Sequence, residues 1–313
     1  MKPLISLIAA GLLLLGNDPT PDPGGGASVN QSGKGGKDFE ALVKGPRSTR
    51  VFGDGVKGGK GDGFRMKRPC WYEPFLDANE MIKFQTDSRT QSRRILADEP
   101  SHLAFIQQFL EKKDVPGMWW LPTYNTRDPQ GAACWAGLQQ FVFAPPNTTP
   151  PSGITLEQLA EIARAAMTVP EHTIKLNPDA KSFVNLPTHV WLEGIGQPRR
   201  TVTAEVPGFM SVTVVATLQD IKIDPGTTKE RAETHEEGCG ASGKPYVKGS
   251  TFTCGVRYLR SSIDQPRGTY PLTVSAVWPV AVAGNVVPFQ LAPVELETTR
   301  DVPVGEIQSN VKP

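Results

Sequence analysis

With 313 residues, 33 Lys and Arg against 32 Asp and Glu, and a net charge of +1, the chain has no whole-molecule field to steer it towards nucleic acid. Its length suits two domains plus linkers, enough to bury real cores. Its 31 glycines and 29 prolines exceed the usual share of a globular domain, which predicts many turns and irregular connections.

Residues 1–16 read as a signal peptide or short anchor. Lys2 precedes an apolar run that Asn17-Asp18-Pro19 ends. The run fits a secretory h-region and falls short of the ~20 apolar residues that span a bilayer. Cleavage after Gly16 or after Ala27 are both open, and no Cys follows the run to carry a lipid. Residues 17–69 read as a flexible Gly/Pro/Lys-rich linker, with tracts such as Gly33-Lys34-Gly35-Gly36-Lys37 and Gly58-Gly59-Lys60-Gly61-Asp62-Gly63 too polar to order themselves. A single helical turn is expected at Phe39–Val43. The excess of Lys and Arg suits a solvated tether, with anionic wall polymer or lipid head groups as a second reading.

Residues 70–145 read as a small mixed α+β domain. Leu103–Leu110 repeats apolar residues at three and four, a helix that begins near Pro100-Ser101 and stops at Pro116-Gly117. Trp119-Trp120-Leu121 and Phe141-Val142-Phe143 read as short strands. Trp119, Trp120 and Tyr124 form a candidate binding surface. Adjacent strand residues face opposite ways, so one of the two tryptophans is expected to point outward. The competing reading is a compact core around Cys70 and Cys134.

Residues 146–181 read as a Pro-rich spacer followed by a helix over Ile154–Met167. Thr155 and Gln158 have capping-box spacing, and Leu156, Leu159, Ile162 and Ala163 lie on one stripe. From Ser182 onward the apolar period changes to two. Val190–Leu192, Val202–Ala204, Val212–Ala216, Phe252–Cys254, Tyr270–Trp278 and Val286–Phe289 are β-branched or aromatic runs. Turn residues such as Pro207-Gly208 and Asp224-Pro225-Gly226 separate them. Many short strands at this spacing predict a mainly β chain ending in a sandwich or barrel over 182–313.

Four cysteines in a chain that looks exported imply two disulfides with three pairings open. Cys239–Cys254 and Cys70–Cys134 are favoured, because each closes a loop inside one domain. No C-x-x-C occurs, so zinc is not expected.

The search for catalytic motifs finds near misses. Gly238-Cys239-Gly240-Ala241-Ser242-Gly243-Lys244 matches most of a phosphate-binding loop, but Pro245 stands where a Mg²⁺-binding hydroxyl belongs. A strand-like run follows it instead of a helix. Gly240-Ala241-Ser242-Gly243 misses the nucleophile-elbow spacing. His102, His172, His189 and His235 are scattered. Asp98-Glu99 and Glu236-Glu237 are adjacent in sequence, which says nothing about a facing pair. Asp54 and Asp62 sit in Gly-Asp-Gly fragments without calcium-loop spacing, and no dinucleotide fingerprint is present. No catalytic, cofactor or metal residue is assigned.

A resemblance adds to this. Asn185-Leu186-Pro187-Thr188-His189-Val190-Trp191-Leu192, Gly238-Cys239-Gly240, Cys254-Gly255-Val256-Arg257-Tyr258-Leu259-Arg260, Tyr270-Pro271-Leu272-Thr273-Val274 and Val304-Gly305-Glu306-Ile307-Gln308 occur in that order. The chain thereby resembles a family of exported actinobacterial proteins with an Ig-like, PKD-like C-terminal domain. Labels given automatically in that family, "ATP/GTP-binding protein" and "enoyl reductase", have no evident chemistry behind them. Where PKD domains carry W-D-F-G-D-G, this chain has Ile221-Lys222-Ile223-Asp224-Pro225-Gly226, so the resemblance implies an Ig-like β-sandwich more than a strict PKD domain. It transfers no catalytic residue.

The resulting expectation is a secreted or envelope protein without enzymatic activity, acting as an interaction, scaffold or assembly module. Its partner would be a protein or a cell-wall polymer, with membrane contact only through the N-terminal segment. The alternatives are a secreted hydrolase with an interdomain cleft and a carbohydrate or wall binder using Trp119 or Trp120.

Overall fold

The computed structural model describes residues 48–87, 99–285 and 290–307. The expected signal peptide, the linker up to Arg47, Asp98, the strand at Val286–Phe289 and Gln308 lie outside the described residues. The chain is mainly β, with 40% strand against 17% helix, and its sheets are antiparallel except for one short parallel pair.

The first sheet has the order β2 (Cys70–Asp77), β3 (Met118–Tyr124), β4 (Val142–Ala144). Helix α1 (Ala78–Thr86) follows β2 directly, because Asp77 and Glu80 close a reciprocal capping box that satisfies two otherwise unpaired donors. This Asp-x-x-Glu signal was legible in the sequence and the helix was not anticipated. Helix α2 (Glu99–Leu110) covers the expected helix. Met81 of α1 and Phe109 of α2 pack with Phe75, Trp119 and Leu121 into one apolar cluster. Trp120, Trp71 and Tyr72 belong to a second, larger cluster.

The expectation that one of Trp119 and Trp120 points outward is therefore corrected. They do face opposite sides, but Trp119 is only 4% exposed and Trp120 1%. Phe109 and Phe143 pack against Trp119 with ring centroids at 4.8 and 5.3 Å. Phe209, at the tip of a distant hairpin, meets Trp120 edge-on at 5.4 Å. Alternation assigns a side chain to a face; here both faces are covered. Tyr124 is half-buried beside Trp135, and Cys70 is bonded to Cys134 of helix α3 (Gly131–Ala136).

Helix α4 (Leu156–Ala165) lies at the centre of the molecule rather than in a spacer. Thr155 caps it by accepting from the Gln158 N–H, the expected cap without its reciprocal bond. Leu159, Ala160, Ile162 and Ala163 are fully buried, and so is Arg164, at 1% exposed. The Arg164 guanidinium makes a two-point bond to Asp62, at 2.6 and 3.1 Å. It also donates to the carbonyls of Ala292 and Pro293 and lies over the Phe64 ring.

Residues 48–69, assigned to the flexible linker by composition, are pinned to this body. Strand β1 (Arg50–Phe52) pairs with β8 (Arg199–Val206) at the edge of the largest sheet. Asp54 accepts from both the amide and the hydroxyl of Thr201. Partial burial raises its pKa, but those two bonds and the Arg200 charge outweigh that and leave it below the ordinary carboxylate value. Lys60 and Val169 exchange backbone bonds at 2.9 and 3.1 Å. The order comes from partners about a hundred residues away, which local composition does not reveal.

In the C-terminal half, β5 (Thr173–Asn177), β7 (Pro187–Glu193), β12 (Gly255–Tyr258) and β11 (Ala232–His235) form a four-stranded sheet. Strands β6 (Ser182–Phe183) and β15 (Val304–Gly305) make the parallel pair. The six-stranded sheet centres on β13 (Tyr270–Val282), in which every second residue from Tyr270 to Val282 is buried. Strand β14 (Leu291–Val302) pairs along one side of it. On the other side, β10 (Asp220–Asp224) and β9 (Met210–Thr217) pair with successive halves of β13, and β9 in turn pairs with β8. A single apolar cluster contains Val190 and Val256 of the four-stranded sheet, Val214 and Trp278 of the six-stranded one, and Ile162 of α4.

Between the two sheets, the rings of Tyr258 and Tyr270 stack at 4.9 Å, and burial pushes the Tyr258 hydroxyl well above its usual range. The Tyr270 hydroxyl donates to the carbonyl oxygens of Ser261 and Arg260 and accepts from Arg231. Arg231 also forks onto Asp264, which holds that carboxyl down at about 2.

Candidate functional site

The expected Cys239–Cys254 disulfide is present and creates the most distinctive surface feature. It closes a loop of sequence separation 15 whose base is fixed at several points. Leu192 donates its N–H to Ser242, and Lys244 donates to Val190, so Gly243 forms a bridge opposite Trp191 on the edge of β7. Gly243 has φ +79°, and a Cβ there would meet the Trp191 Cα at 2.6 Å. Only glycine allows the loop to lie this close to the strand. The Gly238–Lys244 stretch is thus a turn against β7, and no helix occurs between Pro245 and Cys254. The Lys244 ammonium sits 3.4 Å from the Thr253 hydroxyl.

Beyond that base the loop turns outward. Tyr246 is 46% exposed and Val247 63%, with exposed Lys244 and Lys248 flanking them. Ser250 closes the tip by bonding the Val247 carbonyl through both its N–H and its hydroxyl. An apolar tip on a fixed base presents contact area whose ordering cost is largely met before binding.

A row of rings supports the tip from beneath. Gly255 of β12 lies opposite His189 of β7 on one side and His235 of β11 on the other. Lacking a side chain, it leaves a gap between the two histidines. Phe252 fills it and meets both imidazoles edge-on, at 5.1 and 4.8 Å. Tyr246 meets the far side of His189 at 5.1 Å. Burial and then the Lys244 charge lower the His189 pKa, and the ring packs edge-on against both Tyr246 and Phe252. Gly255 has φ +141°, and a Cβ there would fall 2.0 Å from the Thr188 carbonyl oxygen and 2.9 Å from Phe252. Gly255→Ala is expected to cost roughly 3 kcal/mol through backbone strain and overpacking, read as a lower urea midpoint.

Comparison with protein-family models, with curated proteins and with solved structures finds no match.

Several other sequence candidates are held within the fold. Asp54 and Asp62 hold residues 48–69 in place. His172 is buried, and burial lowers its pKa. Glu236 accepts from the Ile223 N–H, while Glu237 is exposed. Among the described residues no three His, Cys, Asp or Glu side chains are grouped to hold a metal ion. Two buried acids, Glu73 and Glu161, escaped the sequence reading, and Glu161 pairs with Lys67. Glu73 accepts from the Thr49 amide and hydroxyl and from the Trp71 indole, while burial pushes its pKa up. The cavity beside it measures ≈ 10 Å³, room for about one water and none for a substrate.

Sequence reasoning identified the staple and the bend but not the tip. The signal was available: Pro245-Tyr246-Val247-Lys248-Gly249 places an aromatic and a β-branched residue between turn formers, inside a short cysteine loop. The His189–Gly255–His235 row carried no local signal, because its three residues come from three strands.

Proposed function

We propose that this chain is an exported, non-enzymatic interaction module of the envelope or extracellular space, and that it contacts a protein partner through the tip of the Cys239–Cys254 loop. The observation that carries this reading is the exposed Tyr246-Val247 pair on a base fixed by a disulfide and by β7. Aromatic residues on rigid supports, rimmed by polar groups, are the usual anchors of protein contacts. The paired cysteines favour an oxidising compartment, which agrees with an export signal in residues 1–16.

An Ig-like C-terminal module remains our reading of the strand-rich half, in line with the resemblance to exported actinobacterial proteins. In its favour, the hydroxyl of Tyr270 at the start of β13 bonds back to the carbonyls of Ser261 and Arg260, as in the tyrosine corner of immunoglobulin-type sandwiches. A wall binder built on Trp119 or Trp120 is not retained, because both are buried.

The test is site-specific photo-crosslinking from position 247 in cells that express the chain. One dominant adduct with an envelope or extracellular protein is expected, and Tyr246→Ser should reduce it about tenfold or more, a hot-spot loss. The substitution should leave the thermal midpoint within a degree or two, since the ring is half in solvent. Adduct formation that is absent, or unaffected by Tyr246→Ser, would remove the loop from the function.

A further inference from the structure

The segment joining the apolar N-terminal run to the folded body carries a second surface. Between Ser48 and Pro69 the chain has six cations, Arg50, Lys57, Lys60, Arg65, Lys67 and Arg68, against two acids, Asp54 and Asp62. Both acids are engaged by the body: Asp54 by Thr201 and Asp62 by Arg164. Of the cations, Lys67 is paired with Glu157 and Glu161. Lys57, Lys60, Arg65 and Arg68 are exposed. The backbone is bonded to Val169 through Lys60 and to Arg200 through the Lys57 carbonyl. These charges are thus displayed on a fixed strap; Arg164 neutralises Asp62, while Asp54, bonded to the uncharged Thr201, offsets only one of the cations.

Two further features narrow the partner. Phe52, at the entry to the strap, is half-exposed on the edge strand β1, where an aromatic ring can enter an interfacial layer. Upstream, residues 17–47 balance Lys34, Lys37, Lys44 and Arg47 with Asp18, Asp22, Asp38 and Glu40, so the excess of cations lies in the strap itself. A compact basic cluster with an exposed aromatic ring beside it is a form that an anionic lipid interface attracts. The near-zero net charge of the whole chain argues against a general polyanion field.

We propose that residues 57–68 dock the folded body onto an anionic lipid surface, with Lys57, Lys60, Arg65 and Arg68 meeting the headgroups and Phe52 entering the interface beside them. Each cation near such a surface is worth about fivefold in partitioning at modest ionic strength. The attraction is screened within about 10 Å at 0.1 M salt.

Sedimentation of the full chain with vesicles tests this, using phosphatidylcholine with and without about 30 mol % phosphatidylglycerol, a composition within the range of anionic leaflets. Neutral vesicles report the contribution of the apolar run. Stronger partitioning to the anionic vesicles is expected, falling as salt rises to about 0.5 M. Lys57→Ala/Lys60→Ala should weaken it roughly 20- to 30-fold, while Lys113→Ala/Lys229→Ala, which removes two exposed cations elsewhere, should leave it unchanged. Equal partitioning to neutral and anionic vesicles would overturn the proposal, as would equal effects of the two double variants. Capture of soluble polyphosphate without vesicle binding would overturn it in favour of an anionic polymer.

Discussion

Arg164→Ala should destabilise the protein by about 3–5 kcal/mol, the range for breaking a buried ion pair by removing one partner. The side chain is 1% exposed and serves Asp62, two carbonyl oxygens and the face of Phe64. Its removal leaves a carboxylate and two backbone acceptors without their donor. Asp62 retains some solvent contact, with 18% of its side chain exposed, which places the cost towards the lower end of that range. Arg164→Lys should recover less than half of the loss, because an ammonium cannot reproduce the planar two-point contact. The effect should also be local. Asp62 and Phe64 anchor the basic strap, so limited trypsin digestion should cut at Lys60 or Arg65 in Arg164→Ala well before it does in the parent chain. Urea unfolding measures the first effect. A loss below about 1 kcal/mol, typical of exposed pairs, would mean that the network does not hold the strap.

Removing either disulfide is the second large effect. The Cys70–Cys134 bond spans a sequence separation of 64 and Cys239–Cys254 one of 15. Loop-closure entropy alone puts their contributions at about 4 and about 3 kcal/mol. Cys70→Ala/Cys134→Ala should therefore lower the unfolding midpoint more than Cys239→Ala/Cys254→Ala. The functional consequences should run in the opposite order. Without Cys239–Cys254 the base of the Tyr246 loop loses its covalent tie, and the crosslinked adduct from position 247 should fall sharply at temperatures where the body is still folded. Denaturant curves of both double variants, with and without reductant, check this. A parent protein whose midpoint is unchanged by reductant would contradict the stabilising role of both bonds.

The particulars show which information was local. The strands with alternating β-branched residues, such as Val212–Ala216 and Tyr270–Trp278, were legible because period two on a half-buried strand is written into adjacent residues. The helix stripe of Leu159, Ile162 and Ala163 was legible for the same reason, at helical spacing, while the favoured cysteine pairing came from keeping each loop inside one expected domain. Strand β14 was missed although Val294, Leu296 and Val302 are buried on its inner face, since Glu, Thr and Arg between them dilute the apolar signal. Strand β12 begins at Gly255, after the run Phe252–Cys254 that was expected to form it. Phe252 serves instead as the side chain that glycine lacks.

Composition and periodicity by themselves determined that this chain is mainly β and where its most regular helices and strands lie, and cysteine placement favoured the observed pairing among three. Tertiary structure alone decided that both Trp119 and Trp120 are interior, that a glycine-rich basic stretch is a fixed strap, and that Tyr246 stands on a row of rings. The physical reason is distance along the chain. Turn and strand preferences act between neighbours, whereas burial and charge compensation depend on partners such as Arg164 for Asp62, 102 residues apart, which meet only once the fold has formed.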